Sequence, residues 1–148
     1  QDDLGYVGDI VKINAHIIID LLDKGYIPVV SSVGTDETGQ TYNINADTAA
    51  AEIAAQIQAE NMILVSDIPG LLMDKDDEST LIPLVHVYEV KGLTDKGIIS
   101  GGMIPKVECC VRAIRENVKK AVIIDGRIPH SILIEMLSKD GIGTMFTR

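Results

Sequence analysis

Ala46-Asp47-Thr48-Ala49-Ala50-Ala51-Glu52-Ile53-Ala54-Ala55-Gln56-Ile57, followed closely by Met62-Ile63-Leu64-Val65-Ser66, is the stretch that decides the fold class. Ala46, Ala49, Ala50, Ile53, Ala54 and Ile57 recur at the three-and-four spacing of one helix face, whereas Met62 to Val65 is apolar at every position. A run apolar on both faces suits a strand covered by helices on each side, and small alanines let a helix sit close to such a sheet. Working outward, Ile27-Pro28-Val29-Val30-Ser31-Ser32-Val33 and Ala121-Val122-Ile123-Ile124 read as two further strands. The alternation predicts an α/β fold, a three-layer αβα sandwich with a mainly parallel sheet.

Three more helices accompany these runs, one before them, one between them and one after. Met103, Val107, Val111, Ile114 and Val118 form a stripe that starts after Gly101-Gly102 and puts Pro105 in the first turn, where its missing N–H costs nothing. Ile13 to Leu22 reads as a helix closed by Gly25, and Ser131 to Leu137 as a last helix closed by Gly141. Asp74-Lys75-Asp76-Asp77-Glu78 reads as a solvated turn. Leu4-Gly5-Tyr6-Val7-Gly8-Asp9 reads as part of a hairpin whose partner is expected upstream.

The bulk numbers narrow the function classes. The 148 residues with 46% hydrophobic content suit one domain with a single core. A net charge of −9 argues against a nucleic-acid footprint, which needs Lys/Arg clusters. The longest apolar runs are far below the ~20 residues of a membrane span, and no signal peptide is visible. The chain starts with Gln1, so the start of the gene product is expected elsewhere. Cys109 and Cys110 are adjacent within an apparent helix and give neither a zinc spacing nor a disulfide framework; they are expected to be reduced, in or near the core.

Three segments carry candidate chemistry. In Asn43-Ile44-Asn45-Ala46-Asp47-Thr48, one reading is a helix cap, Asn45 accepting from exposed N–H groups and Asp47 answering the positive helix end. The other reading puts these polar groups in the crevice beyond a strand's carboxyl end, where parallel sheets bind ligands. Ser66-Asp67-Ile68-Pro69-Gly70-Leu71-Leu72 is an ordinary turn sequence by itself, but its place after a strand makes it a second crevice element, with Gly70 allowing close backbone approach to a phosphate or base. In Ile98-Ile99-Ser100-Gly101-Gly102-Met103-Ile104-Pro105-Lys106, a lysine in the first helical turn costs roughly 0.3–1 kcal/mol unless an anion is near. Lys106 is either a solvated surface group or a phosphate ligand. Neither the dinucleotide glycine pattern nor the P-loop pattern is present, and His16, His86 and His130 are scattered.

Taken in order, Tyr42 to Thr48, Ser66 to Gly70, Gly101 to Cys110 and Ile124-Asp125-Gly126-Arg127-Ile128-Pro129-His130-Ser131 resemble the acetylglutamate kinase branch of the amino acid kinase family. The resemblance runs from Leu4 to Met145. It implies ATP-dependent phosphorylation of the side-chain carboxylate of N-acetyl-L-glutamate in arginine biosynthesis, with Mg²⁺ accompanying the nucleotide, and a cytoplasmic enzyme, or a stromal one in a plant or alga. By resemblance, Lys106 stabilises the transferring charge, Asp47 orients catalytic lysines, and Asn43 binds acetylglutamate. Asp67 to Leu72 and Ile98 to Ser100 hold ATP, and no protein metal ligand is expected. His130, Glu135 and Gly143 fall in the segment that binds the effector arginine in sensitive members.

The same resemblance makes residues 1–148 the ATP-binding carboxyl-terminal half of the domain. The amino-terminal half, with a second lysine, a glycine pair, an arginine and the helix through which sensitive members form hexamers, is expected to lie outside this chain. A homo-oligomer is expected for the full-length protein, and a PII-type regulator if the source is a phototroph. Two other readings are a non-catalytic arginine-sensing, kinase-like module of an acetylglutamate synthase, and a kinase for carbamate, aspartate or a nucleotide. Asp47 and Lys106 favour a kinase, and the full motif set favours acetylglutamate.

Overall fold

A computed structural model describes residues 5–148. Among these the chain runs α1 (His16–Asp23), β1 (Val33–Thr35), β2 (Thr41–Asn43), α2 (Ala46–Gln56), β3 (Asn61–Ser66), β4 (Leu84–His86), α3 (Val90–Asp95), α4 (Met103–Arg115), β5 (Lys120–Asp125), α5 (Ser131–Leu137) and β6 (Thr144–Thr147). The main sheet has the order β3-β5-β6-β4; β3/β5 and β4/β6 are parallel and β5/β6 antiparallel. β1 and β2 form a separate two-stranded hairpin.

The pleat sorts the two sheet faces. Met62 and Leu64 on β3 lie in register with Ala121 and Ile123 on β5, and all four join Val107, Cys110, Ala113 and Ile114 of α4 in the core. The opposite face carries Ile63 and Val122, over which Met136 of α5 and Met145 line a small cavity of about 110 Å³. Helices therefore cover both faces, α2 and α4 on one and the short α5 on the other. The αβα arrangement expected from the sequence is present, with a mixed rather than wholly parallel sheet.

Local chemistry explains the ends of the best helices. Asn45 caps α2 by accepting from the Thr48 N–H at 3.0 Å. α4 stops where Asn117 takes a left-handed φ of 77°, with Val118 N–H donating to Ala113 O (3.0 Å) and Asn117 N–H to Ile114 O (3.2 Å). That turn carries Val118 into the core although it lies past the helix end. α1 starts at His16, three residues after Ile13, and is closed as expected by Gly25 at φ 79°. α5 ends in an extended Ser138, ahead of Gly141.

Two expectations for the first third of the chain are corrected. Ile27 to Ser32 pairs with no strand among the described residues, and Ile27 and Val29 are 90% and 95% exposed. A strand is defined by its ladder, and only Val33 reaches one, in the β1–β2 hairpin. The Tyr6 to Gly8 segment pairs downstream with Asn43, whose N–H donates to Tyr6 O at 2.8 Å and whose carbonyl accepts from Gly8 at 3.0 Å; Leu4 lies outside the described residues.

Candidate functional site

The connections α2-to-β3 and α4-to-β5 are short, so each helix runs antiparallel to the strand that follows it. Both helix starts are thereby brought to the carboxyl ends of β3 and β5. The two helices also pack on each other in the same direction: Asp47 meets Lys106, Thr48 meets Cys109 (Oγ1 to Sγ 3.9 Å), and Glu52 pairs with Arg112. Two positive helix ends thus converge at one rim of the sheet.

At that rim Lys106 Nζ donates to Asp47 Oδ2 at 2.9 Å, each side chain about a quarter exposed (25% and 26%). Asp47 is the anion that the lysine in the first turn of α4 required. Beside it, Gly101 takes φ 54° and Gly102 φ −65°, a left-then-right pair of the kind that aims successive N–H groups into one concavity. The N–H groups of Ser100, Gly101 and Gly102 find no partner among the described residues. Backbone donors, an ammonium group and two helix starts make a locus suited to a multiply charged anion.

The other assigned residues are divided. Asn43 is exposed on β2 with its backbone paired and its amide group without a partner among the described residues. Of the Asp67–Leu72 loop, Asp67 is exposed, while Leu71 is a core side chain at 1% exposure. Gly70 has φ 146°, and a Cβ there would lie 2.5 Å from Thr144 Oγ1, so its close approach is first of all to β6. The same hydroxyl accepts from Leu71 N–H at 2.8 Å and donates to Ile82 O at 2.7 Å, which pins the loop to the sheet. Ile99 is likewise buried and Ser100 exposed.

At the far end, Glu135 Oε2 accepts from Ile142 N–H (2.8 Å) and Gly143 N–H (3.2 Å), bringing Glu135 and Gly143 together. A Cβ on Gly143 would lie 2.2 Å from Ile123 O, so β5 leaves room only for glycine. His130 is exposed at the start of α5 with φ 61°, and no contact joins it to that pair.

The sequence reading gave no role to Asp125 and Arg127. Asp125, 5% exposed at the carboxyl end of β5, receives Arg127 Nε at 2.9 Å and Nη2 at 2.7 Å, and Arg127 N–H at 2.8 Å. The bound guanidinium holds the Asp125 carboxyl below its ordinary value. Gly126 N–H donates to Ser66 O at 2.8 Å, so this turn is fixed against the start of the Asp67 loop. An Asp-x-Arg spacing at a strand's end was the available signal. Cys109 and Cys110 are free thiols, both raised by burial above the ordinary thiol value.

Among the described residues no group of three or more His, Cys, Asp or Glu could hold a metal, and no helix is long and apolar enough to cross a membrane.

Comparison with known proteins adds to this geometry. The model of the amino acid kinase family matches residues 1–125. The chain is 54% identical over 143 residues to an acetylglutamate kinase of Clostridium kluyveri and 55% identical over 145 residues to one of Nostoc punctiforme, covering 97% and 98% of itself. It spans about half the length of these curated relatives, 50% and 49%. Among solved structures, N-acetylglutamate synthase from Neisseria gonorrhoeae, complexed with coenzyme A and L-arginine, superposes with a TM-score of 0.88 at 26% identity, over 99% of this chain and 33% of that one. Carbamate kinase from Giardia lamblia bound to AMP-PNP shares the fold, with a TM-score of 0.68 at 16% identity over 93% of this chain and 45% of that one.

Proposed function

The chain belongs to the amino acid kinase family, and from that premise we propose that it is the nucleotide-binding half of an acetylglutamate kinase, transferring the γ-phosphoryl group of ATP to the side-chain carboxylate of N-acetyl-L-glutamate. The observation that carries the proposal is the convergence of the α2 and α4 starts on the Lys106–Asp47 pair, beside three N–H groups that have no partner among the described residues. Phosphoryl transfer asks the protein mainly to position two reactants and neutralise charge that develops between them.

In this reading Lys106 stabilises the transferring phosphoryl, Asp47 holds its ammonium group, and Asn43 contributes its unengaged amide to acetylglutamate. Asp67 to Leu72 and Ile98 to Ser100 border the nucleotide; Leu71 and Ile99, being core side chains, serve through the backbone. Mg²⁺ would accompany the nucleotide on its phosphate oxygens and water, with no protein ligand assigned, and would supply charge neutralisation there. Glu135 and Gly143 would border the effector arginine. The protein would act in the cytoplasm or stroma as a homo-oligomer, with a PII-type regulator in a phototroph.

The synthase-type sensor is a second reading, favoured by the TM-score of 0.88 to the Neisseria enzyme. Identity of 54% to a kinase against 26% to that synthase, with Lys106 and Asp47 both in place, weighs toward the kinase. Titration of the chain with ATP·Mg²⁺ tests the nucleotide site: measurable heat, lost in Lys106→Ala, is expected. The acceptor is tested by joining the chain to the unmatched half of the Clostridium relative and trapping acyl phosphate with hydroxylamine, with acetylglutamate, aspartate and carbamate compared. Arginine binding without nucleotide binding would favour the sensor instead.

A further inference from the structure

Asp125, Ser131 and Thr144 are the buried polar side chains among the described residues. Thr144 pins the far end of the Asp67–Leu72 loop through Leu71 N–H. The near end of that loop leaves β3 at Ser66, whose carbonyl accepts from Gly126 N–H at 2.8 Å and whose hydroxyl donates to Asp67 Oδ1 at 3.3 Å. Gly126 lies so close to β3 that a Cβ on it would overlap Val65 Cγ1. Arg127 folds back over the same turn: Nε and Nη2 grip Asp125, and Nη2 also faces Glu78 of the acidic turn at 3.9 Å. Asp125 first, then Glu78 and Asp67, raise the guanidinium above its ordinary value, so the first residue of the loop lies within its field.

We propose that Arg127 is a positioning residue for the nucleotide: clamped by Asp125, it fixes where the Asp67–Leu72 loop leaves β3 and holds the acidic turn beside that loop, a role that rests on the reading of the loop as a border of the ATP site. The division of burial supports this. The Asp125 side chain is 7% exposed and that of Arg127 59%, so the buried partner anchors and the exposed one reaches the neighbouring segments. Pairing with Glu78, itself 75% exposed, adds little to stability. A planar fork that grips one carboxylate through two nitrogens sets direction as well as distance, which a lysine does not. The loop is thus held at both ends by side chains outside it, and its backbone meets a ligand in a fixed shape.

The test uses two clamp variants: Arg127→Lys, which keeps the charge, and Asp125→Asn combined with Arg127→Met, which strands no buried charge. The control is Val118→Ala, a core truncation before the amino end of β5. In the chain alone, hydrogen exchange at the Gly126 amide is expected to speed up by roughly tenfold or more in both clamp variants, while the amides of Val122 to Ile124 keep their rates. ATP·Mg²⁺ should bind about tenfold more weakly to both, and Val118→Ala should leave that affinity unchanged. In the chain joined to the unmatched half of the Clostridium relative, the Michaelis constant for ATP should rise by the same factor, with the turnover number within about threefold and the acetylglutamate Michaelis constant unchanged. Weaker ATP binding in a joined protein that forms no acyl phosphate upholds this role and defeats the kinase reading. Unchanged exchange at Gly126, faster exchange with unchanged ATP affinity, an equal loss of affinity in Val118→Ala, or an unsubstituted chain that binds no ATP each overturns the proposal.

Discussion

Residues 46–148 and the described residues before them are equally rich in apolar stretches and differ in what those stretches meet. Of the buried hydrophobic residues among those described, only Ile44 precedes α2; every other one lies between Ala51 and Phe146. In the first region Val11, Ile17, Tyr26, Ile27 and Val29 are all more than 60% exposed. The helix α1 has an apolar face but no fully buried residue. An apolar pattern states what a segment can do against a partner, and the partner decides whether it does so; most helix stability comes from such packing.

The sharpest way to break this comparison is to truncate one residue in each region. Phe146→Ala should destabilise the chain by about 3–5 kcal/mol in urea unfolding, because a fully buried ring leaves a cavity. Val29→Ser should change it by no more than about 0.5 kcal/mol. A large loss in Val29→Ser would show that the first region is packed.

The rim between the α2 and α4 starts separates stability from function. Lys106→Ala, in the chain joined to its complementary half, should lower the turnover number by about 10²–10³, as removal of one charge-stabilising donor does. The same change should cost the fold only about 0.2–1 kcal/mol, since the pair with Asp47 is partly solvated. Equal losses in both measurements would make the pair a structural tie.

Gly70→Ala probes the seam between the Asp67 loop and β6. With φ at 146° and Thr144 Oγ1 in the way, it should cost roughly 1–3 kcal/mol in thermal unfolding. The same substitution at Gly39 in the β1–β2 turn, where nothing lies within 4 Å, meets φ strain alone and should cost less.

The smallest effect is a pH dependence. Asp125 has its folded carboxyl value lowered by Arg127, so its contribution is complete above the unfolded value of about 4 and is lost as pH falls through the lower folded value. The stability gap between wild type and Asp125→Asn should be constant near neutrality and close below about pH 4. A gap that persists at lower pH would point to packing rather than charge.

The readings made from residues alone held where the signal was local. The face of α2, the Asn45 cap, Pro105 in the first turn of α4, and the apolar runs of β3 and β5 all depend on neighbours within a few positions. β4 and β6 went unread because each has only three or four residues and exists through pairing with distant segments, β4 with β6 about sixty positions away and β6 with β5 as well. The pairing of Lys106 with Asp47 was implied by the family resemblance, in which Asp47 orients lysines, and not by the residues alone: a separation of 59 positions is closed only by parallel packing of two helices. Composition and periodicity depend on nearest neighbours and so determine element type and core face. Which strands pair, which glycines must stay small and which charges meet are set by contacts between distant segments, and only the folded chain decides those.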